Sequence, residues 1–154
     1  MTEAKRPLVI GIGNVLRSDD GAGYQVAEAL RNEINRSLDV ITVHQLTPEL
    51  ALYIGSASRV LFVDASVEQL FSALKPLAEH QNATPSSTPV GVGHSITPDM
   101  LMALARVLYD HCPPAWELLI PAQRWDHGTQ LSGLTAEGCT QALLMAKAWG
   151  HGHA

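Results

Sequence analysis

The segment Leu8 to Gly23, LVIGIGNVLRSDDGAG, constrains this chain more than any other. An apolar run of strand character meets a glycine turn, and the turn ends on two adjacent carboxylates, Asp19 and Asp20, at the start of a helix. A glycine-rich turn between a first strand and a first helix commonly cradles a phosphate, because backbone N–H groups and the helix N-terminus together attract an anion. Here the protein supplies the anions itself. Asp19 and Asp20 would repel a phosphate, and their acceptor-only oxygens suit a cation or a water molecule instead. The dinucleotide pattern fails as well: Gly11 and Gly13 satisfy G-x-G, but Leu16 stands where the third glycine belongs, and no G-K-[ST] follows anywhere.

With 154 residues, 46% of them hydrophobic, the chain is long enough for one domain over 1–154 with a sizeable core and too short for two. The net charge of −5 and the scattered basic residues exclude the electrostatic footprint of a nucleic-acid binder. No apolar run reaches the roughly 18 residues of a membrane span, and the start MTEAKRPLVIG lacks a signal peptide's apolar core. A cytoplasmic protein with no membrane partner is expected. Cys112 and Cys139 are too few for a disulfide framework and too far apart for a thiolate zinc site. His111 adjoins Cys112 in a stiff turn before Pro113 and Pro114, and Ser95 adjoins His94. Sequence neighbours rarely face each other as nucleophile and base, and no G-x-S-x-G elbow occurs.

Periodicity places the elements. Pro7 to Gly13 reads as a strand, and Tyr24, Val26, Ala27, Leu30 and Ile34 fall at helical spacing from Asp20 to Arg36. Val40, Ile41 and Val43 make a second strand; Thr47 and Pro48 cap and open a short helix to Ile54, closed by Gly55. Arg59 to Ala65, RVLFVDA, is a continuous apolar run typical of a central parallel strand, with Asp64 at its C-terminal end. An edge strand carrying Pro76 is expected around Phe71 to Glu79, followed by a mobile loop at Asn82 to Pro89. Thr97-Pro98-Asp99 opens a helix with Leu101, Leu104, Ala105 and Leu108 on one face. Trp116 to Ile120 gives a last strand, Gln123 to Gly133 a mobile rim, and Thr135 to Trp149 a final helix. This alternation predicts an α/β three-layer sandwich: a mostly parallel, five-stranded twisted sheet with helices on both faces and one antiparallel edge strand.

In open α/β sheets, ligand sites form beyond the carboxyl ends of the strands, near the point where strand order reverses. Three polar clusters fall at such ends: Asp19-Asp20, Asp64, and His94 in the loop entering the third helix. Two carboxylates and an imidazole suit zinc, nickel, manganese or iron, and three ligands leave positions open for chemistry. Gly91-Val92-Gly93 lets the backbone approach closely before His94. Each residue also has a plainer reading: Asp20 as a first-turn acid favoured by the helix dipole, His94 as a hydrogen-bonded loop histidine. Asp64 is harder to dismiss, since a carboxylate ending an apolar strand must find a partner or shift its pKa. His44, Asp126 and His127 are outlying candidates, and His151 and His153 belong to a fraying terminus.

Taken together, GIGNVLRSDDGAG, LFVDAS and GHSITP resemble the nickel–iron hydrogenase maturation endopeptidases over nearly the whole chain. Gly11, Gly13, Asn14, Leu16, Asp19 and Gly21 stand where the family pattern G-x-G-N-x-L-x-x-D-[DE]-G-x-G expects them. The resemblance implies that Asp20, Asp64 and His94 are both the metal ligands and the catalytic residues. The nickel would be carried by the substrate, with zinc or cadmium standing in for it in crystals and no organic cofactor. It further implies a cytoplasmic enzyme that acts on the precursor of a hydrogenase large subunit and removes its C-terminal extension, while the acidic, mildly hydrophilic surface suggests a monomer that docks transiently. Hydrolysis would use a metal-polarised carbonyl or water and a carboxylate base, Asp20 and Asp64 both being candidates. His44 to Glu49, HQLTPE, replaces the Asp-Gly-Gly-Thr of many relatives and resembles the branch serving soluble, NAD-coupled bidirectional hydrogenases. Asp20 in place of Glu shortens one ligand arm by a methylene. Two other classes fit the same residues: a non-enzymatic nickel-dependent maturation chaperone, and a small metallohydrolase with its own ion.

Overall fold

Alternation along the two central strands sorts the core into two halves, as the two-residue period of a pleated strand requires. The computed structural model describes residues 5–33, 37–77 and 96–152. Within them β1 (Arg6–Ile12) and β3 (Ala57–Ser66) pair in parallel. Leu8, Ile10, Val60 and Phe62 point to one face, Val9, Leu61 and Val63 to the other, and all seven are buried.

On the first face these side chains pack against α2 (Ala51–Ile54) and α3 (Pro98–Tyr109) through Ile54, Leu101 and Ala105. On the second they pack against α1 (Ala22–Glu33) and α4 (Gly133–Gly150) through Val26, Leu30, Ala142 and Trp149. Trp149 is wholly buried, meets Trp116 edge to face at 5.9 Å, and carries the Arg59 guanidinium 4.4 Å above its ring.

The sheet is completed by β2 (Asp39–Val43), β4 (Ala73–Pro76) and β5 (Ala115–Pro121), in the order β2-β1-β3-β5-β4. Every pairing is parallel except β4 with β5. The expected three-layer sandwich with one antiparallel edge strand is therefore observed. From β1 the chain steps outward to β2, then returns past β1 to lay down β3, so strand order reverses between β1 and β3. The crevice beyond the carboxyl ends of those two strands is the switch point of the sheet.

Local differences from the sequence reading have physical causes. The first helix does not begin at Asp20: Ser18–Gly21 forms a 3-10 turn and α1 starts at Ala22, because Asp19 is drawn away into the fold. Its far end at residues 34–36 lies outside the described residues. Thr47 does not cap the turn Pro48–Leu50 with its side chain; its hydroxyl serves the Glu49 carboxylate instead. Within the described part of the expected span, the edge strand covers Ala73–Pro76, and the Leu77 N–H still donates to the Ala115 carbonyl at 2.8 Å; residues 78–79 lie outside the described residues. Asn82 to Pro89 lies outside the described residues.

Candidate functional site at the switch point of the sheet

Asp19 and Asp20 are neighbours with opposite fates. Asp19 is completely buried and accepts four hydrogen bonds: from the Gln123 and Arg124 N–H groups at 2.8 Å, the Ser132 N–H at 2.7 Å and the Ser132 hydroxyl at 2.9 Å. Burial alone would raise its pKa, but these donors hold the carboxyl below its usual 3.8. Ser132 also caps α4, accepting from the Thr135 N–H. Asp19 is thus the clamp that joins the turn after β1 to the loop before α4.

That clamp is reinforced along the backbone. The Ser18 N–H donates to the Gly128 carbonyl, the Gly128 N–H to Leu16, the Asp19 N–H to Arg124, and the Ser18 hydroxyl to Asp126. Ser18 is held at φ 51°, a left-handed conformation a non-glycine residue adopts only when its surroundings impose it. The segment Gln123 to Gly133, expected to be a mobile rim, is instead stitched to residues 16–19. Its fastening donors and acceptors are mostly backbone groups, which leave no mark in the sequence.

With its neighbour committed, Asp20 is left half-buried at the crevice, its Oδ2 accepting from the Asn14 N–H at 3.1 Å. Glycines make this approach possible. A Cβ on Gly13 would stand 2.0 Å from the Asp20 carbonyl oxygen, and one on Gly23 would strike the Val63 and Ile12 carbonyls at 2.3 and 2.5 Å. Only glycine lets the turn fold back under Asp20 and seats α1 across the ends of β1 and β3.

Asp64 enters the same crevice from the end of β3, opposite Leu119 of β5. Its Oδ1 accepts from the Ala65 N–H at 2.8 Å. Burial raises its pKa to about 7, one hydrogen bond opposes the rise, and the charges of Asp20 and then Glu117 add to it. Two carboxylates that repel each other in a desolvated crevice favour either a proton on one of them or a cation between them.

The remaining candidates separate cleanly. His44, at the end of β2, is exposed and stacks on Tyr24 at 6.1 Å between ring centroids, on the β2 side of the crevice. The Asp126 carboxylate meets the Arg124 guanidinium at 3.5 Å in the clamped loop. His111 donates from Nε2 to the Ala57 carbonyl at 2.8 Å, at the start of β3, so it and Cys112 belong to the opposite end of the sheet. Burial raises the Cys139 thiol to about 11, which removes it as a nucleophile. A cleft of about 520 Å³ also lies at that opposite end, lined by Arg6, Ile41 and Tyr53 among others. His94 lies outside the described residues. Among the described residues no group of three or more His, Cys, Asp or Glu side chains is placed to hold a metal ion, so Asp20 and Asp64 are the described part of the expected trio. The work of Asp19, Ser132 and Thr135 was not foreseen from the sequence; Ser132, directly before the last helix, was a visible N-cap signal.

No protein-family model matches the chain, and a search of curated proteins gives no match. Solved structures do match over almost the full length. The [NiFe] hydrogenase maturation protease HybD from Thermococcus kodakarensis superposes with a TM-score of 0.70 at 20% identity, covering 94% of this chain and 99% of that one. The hydrogenase maturating endopeptidase HybD from E. coli gives 0.66 at 19%, covering 96% and 94%. A hydrogenase 2 maturation peptidase from a Thaumarchaeota archaeon gives 0.68 at 18%, covering 97% and 100%. At these identities the likeness establishes a shared fold. Among the described residues no helix is long and apolar enough to cross a membrane.

Proposed function

We propose that this chain is an endopeptidase that removes the C-terminal extension from the nickel-loaded precursor of a [NiFe] hydrogenase large subunit. The observation that carries the reading is the convergence of Asp20 and Asp64 on the switch-point crevice with the Asp64 pKa raised to about 7. The fold shared with hydrogenase maturation proteases and the motif around Asp20 support it.

The substrate brings the nickel, and Asp20, Asp64 and His94 offer it open ligand positions. A cation between Asp20 and Asp64 relieves their repulsion and releases the proton that Asp64 holds near neutrality. Capture of the ion fixes the adjacent peptide bond in the crevice, which replaces an improbable encounter by an oriented one. A water oxygen then attacks the scissile carbonyl carbon while a carboxylate takes its proton. Asp64 is our choice for this base, since it ends β3 inside the crevice and is ionised once the cation is bound. The proton passes to the amide nitrogen as the C–N bond breaks, leaving a new carboxyl end on the large subunit and a free amine on the extension.

The HQLTPE segment at 44–49 favours a soluble, NAD-coupled bidirectional hydrogenase as the one served, and the net charge of −5 favours a cytoplasmic monomer as the working form. Incubation with nickel-loaded precursor, followed by intact mass, tests the reading. Loss of the extension with the native chain and its retention with Asp64→Asn is expected. An extension retained by the native chain would refute the proposal and favour a chaperone. Stoichiometric metal retained through purification without added nickel would favour a metallohydrolase with its own ion.

A further inference from the structure

The carboxyl end of the sheet carries an apolar rim that hydrolysis does not require. Val67, Leu70 and Phe71, in the connection from β3 to β4, are 64%, 75% and 71% exposed, and Leu16, in the turn between β1 and Asp19, is 60% exposed. Their backbones are not loose. The Glu68 N–H donates to the Ser66 hydroxyl at 3.3 Å and the Ser72 hydroxyl to the Gly138 carbonyl at 2.6 Å, pinning both ends of the connection. Leu16 donates its N–H to the Asn14 side chain at 3.0 Å and accepts from the Gly128 N–H at 2.9 Å. Large side chains held outward by a fixed backbone lose little further freedom on binding, the condition under which apolar contacts yield affinity.

We infer that Leu16, Val67, Leu70 and Phe71 form the docking surface for the folded body of the precursor, whose own apolar patch they cover while its terminus enters the crevice. This rests on the endopeptidase reading above. Three observations favour that occupant. Val67 follows Asp64 by three residues and Leu16 precedes Asp20 by four, both beyond the carboxyl ends of β3 and β1, so a protein whose peptide bond reaches Asp64 arrives at the end of the sheet that carries the rim. Four side chains are too small a patch for a permanent dimer, which buries roughly 2,000 Å² or more, but suit a transient contact. Val107 and Leu108, also exposed, stand at the end of α3 and so at the opposite end of the sheet, because α3 runs antiparallel to the strand it precedes.

The test compares L70S/F71S, and separately L16S, with V107S/L108S as the control from the far end. These positions are exposed, so folding is expected to be retained, and the two rim variants check each other. With nickel-loaded precursor, L70S/F71S is expected to raise KM at least about tenfold, as loss of a binding anchor does, with kcat within about twofold and the control unchanged. Native kinetics in both rim variants would overturn the docking surface and leave the endopeptidase reading standing. If the native chain does not cleave, that reading fails separately, and precursor binding by D64N, measured by sedimentation, still decides the rim. Binding lost on adding L70S/F71S supports it, and binding retained overturns it. A native dimer that dissociates in L70S/F71S would assign the rim to a second copy and overturn the proposal.

Discussion

Asp64→Asn should make the folded protein more stable while silencing it, and the gain should depend on pH in a defined way. The carboxyl of Asp64 has an ordinary value of 3.8 and is raised to about 7 in the fold. At about 1.36 kcal/mol per unit, that rise corresponds to about 4 kcal/mol. Below pH 3.8 the group is protonated in both folded and unfolded chains and has no effect. Between 3.8 and about 7 the unfolded chain gives up its proton and the folded chain keeps it, so stability falls as pH rises. Above about 7 both are ionised and the full cost stays in place. Asparagine keeps the Oδ1 that accepts from the Ala65 N–H and carries no charge. Urea unfolding at pH 4, 6 and 8 should show the variant nearly equal to the native chain at pH 4. It should be about 4 kcal/mol more stable at pH 8. An equal difference at pH 4 and pH 8 would refute the reasoning, because it would mean that Asp64 titrates as an ordinary carboxylate.

Asp19→Ala should do the reverse, costing about 3–5 kcal/mol, since it removes the shared acceptor of the Gln123, Arg124 and Ser132 N–H groups, the last of them buried. Because the Asp19 pKa is lowered, that contribution is present above pH 3.8 and fades as pH falls through its folded value, which acid titration of the two proteins would reveal. Gly13→Ala places a Cβ 2.0 Å from the Asp20 carbonyl and should cost about 2–4 kcal/mol in thermal unfolding, with loss of activity from the displaced carboxylate. Asp20→Asn should lower the titration midpoint of Asp64, followed by carbon-detected NMR of its carboxyl, because one of the charges that raises it is gone.

The layers, the parallel core strands and the antiparallel edge were legible because each rests on local pattern: RVLFVDA announces a strand covered on both faces, and Thr97-Pro98-Asp99 announces a helix start, with Thr97 indeed accepting from Met100. Asp64 stood out for the same reason, a lone acid closing an apolar run. Asp19 and Asp20 could not be told apart, since what distinguishes them is a set of donors more than 100 residues away. The fastening of Gln123 to Gly133 was equally hidden. Its Gly, Thr and Ser content reads as a loose loop, and only the tertiary fold brings residues 16–19 within hydrogen-bonding distance of it.

The proposed activity requires Asp20 and Asp64 to act as one receptor for a cation, with His94 as the third donor. A crystal soaked in cadmium and measured at a wavelength giving anomalous signal tests this directly. One ion in the switch-point crevice, bound by Asp20, Asp64 and His94 with a position left open, is the result predicted. Cadmium at full occupancy elsewhere with this crevice empty, or an ion here held without Asp64, would contradict it.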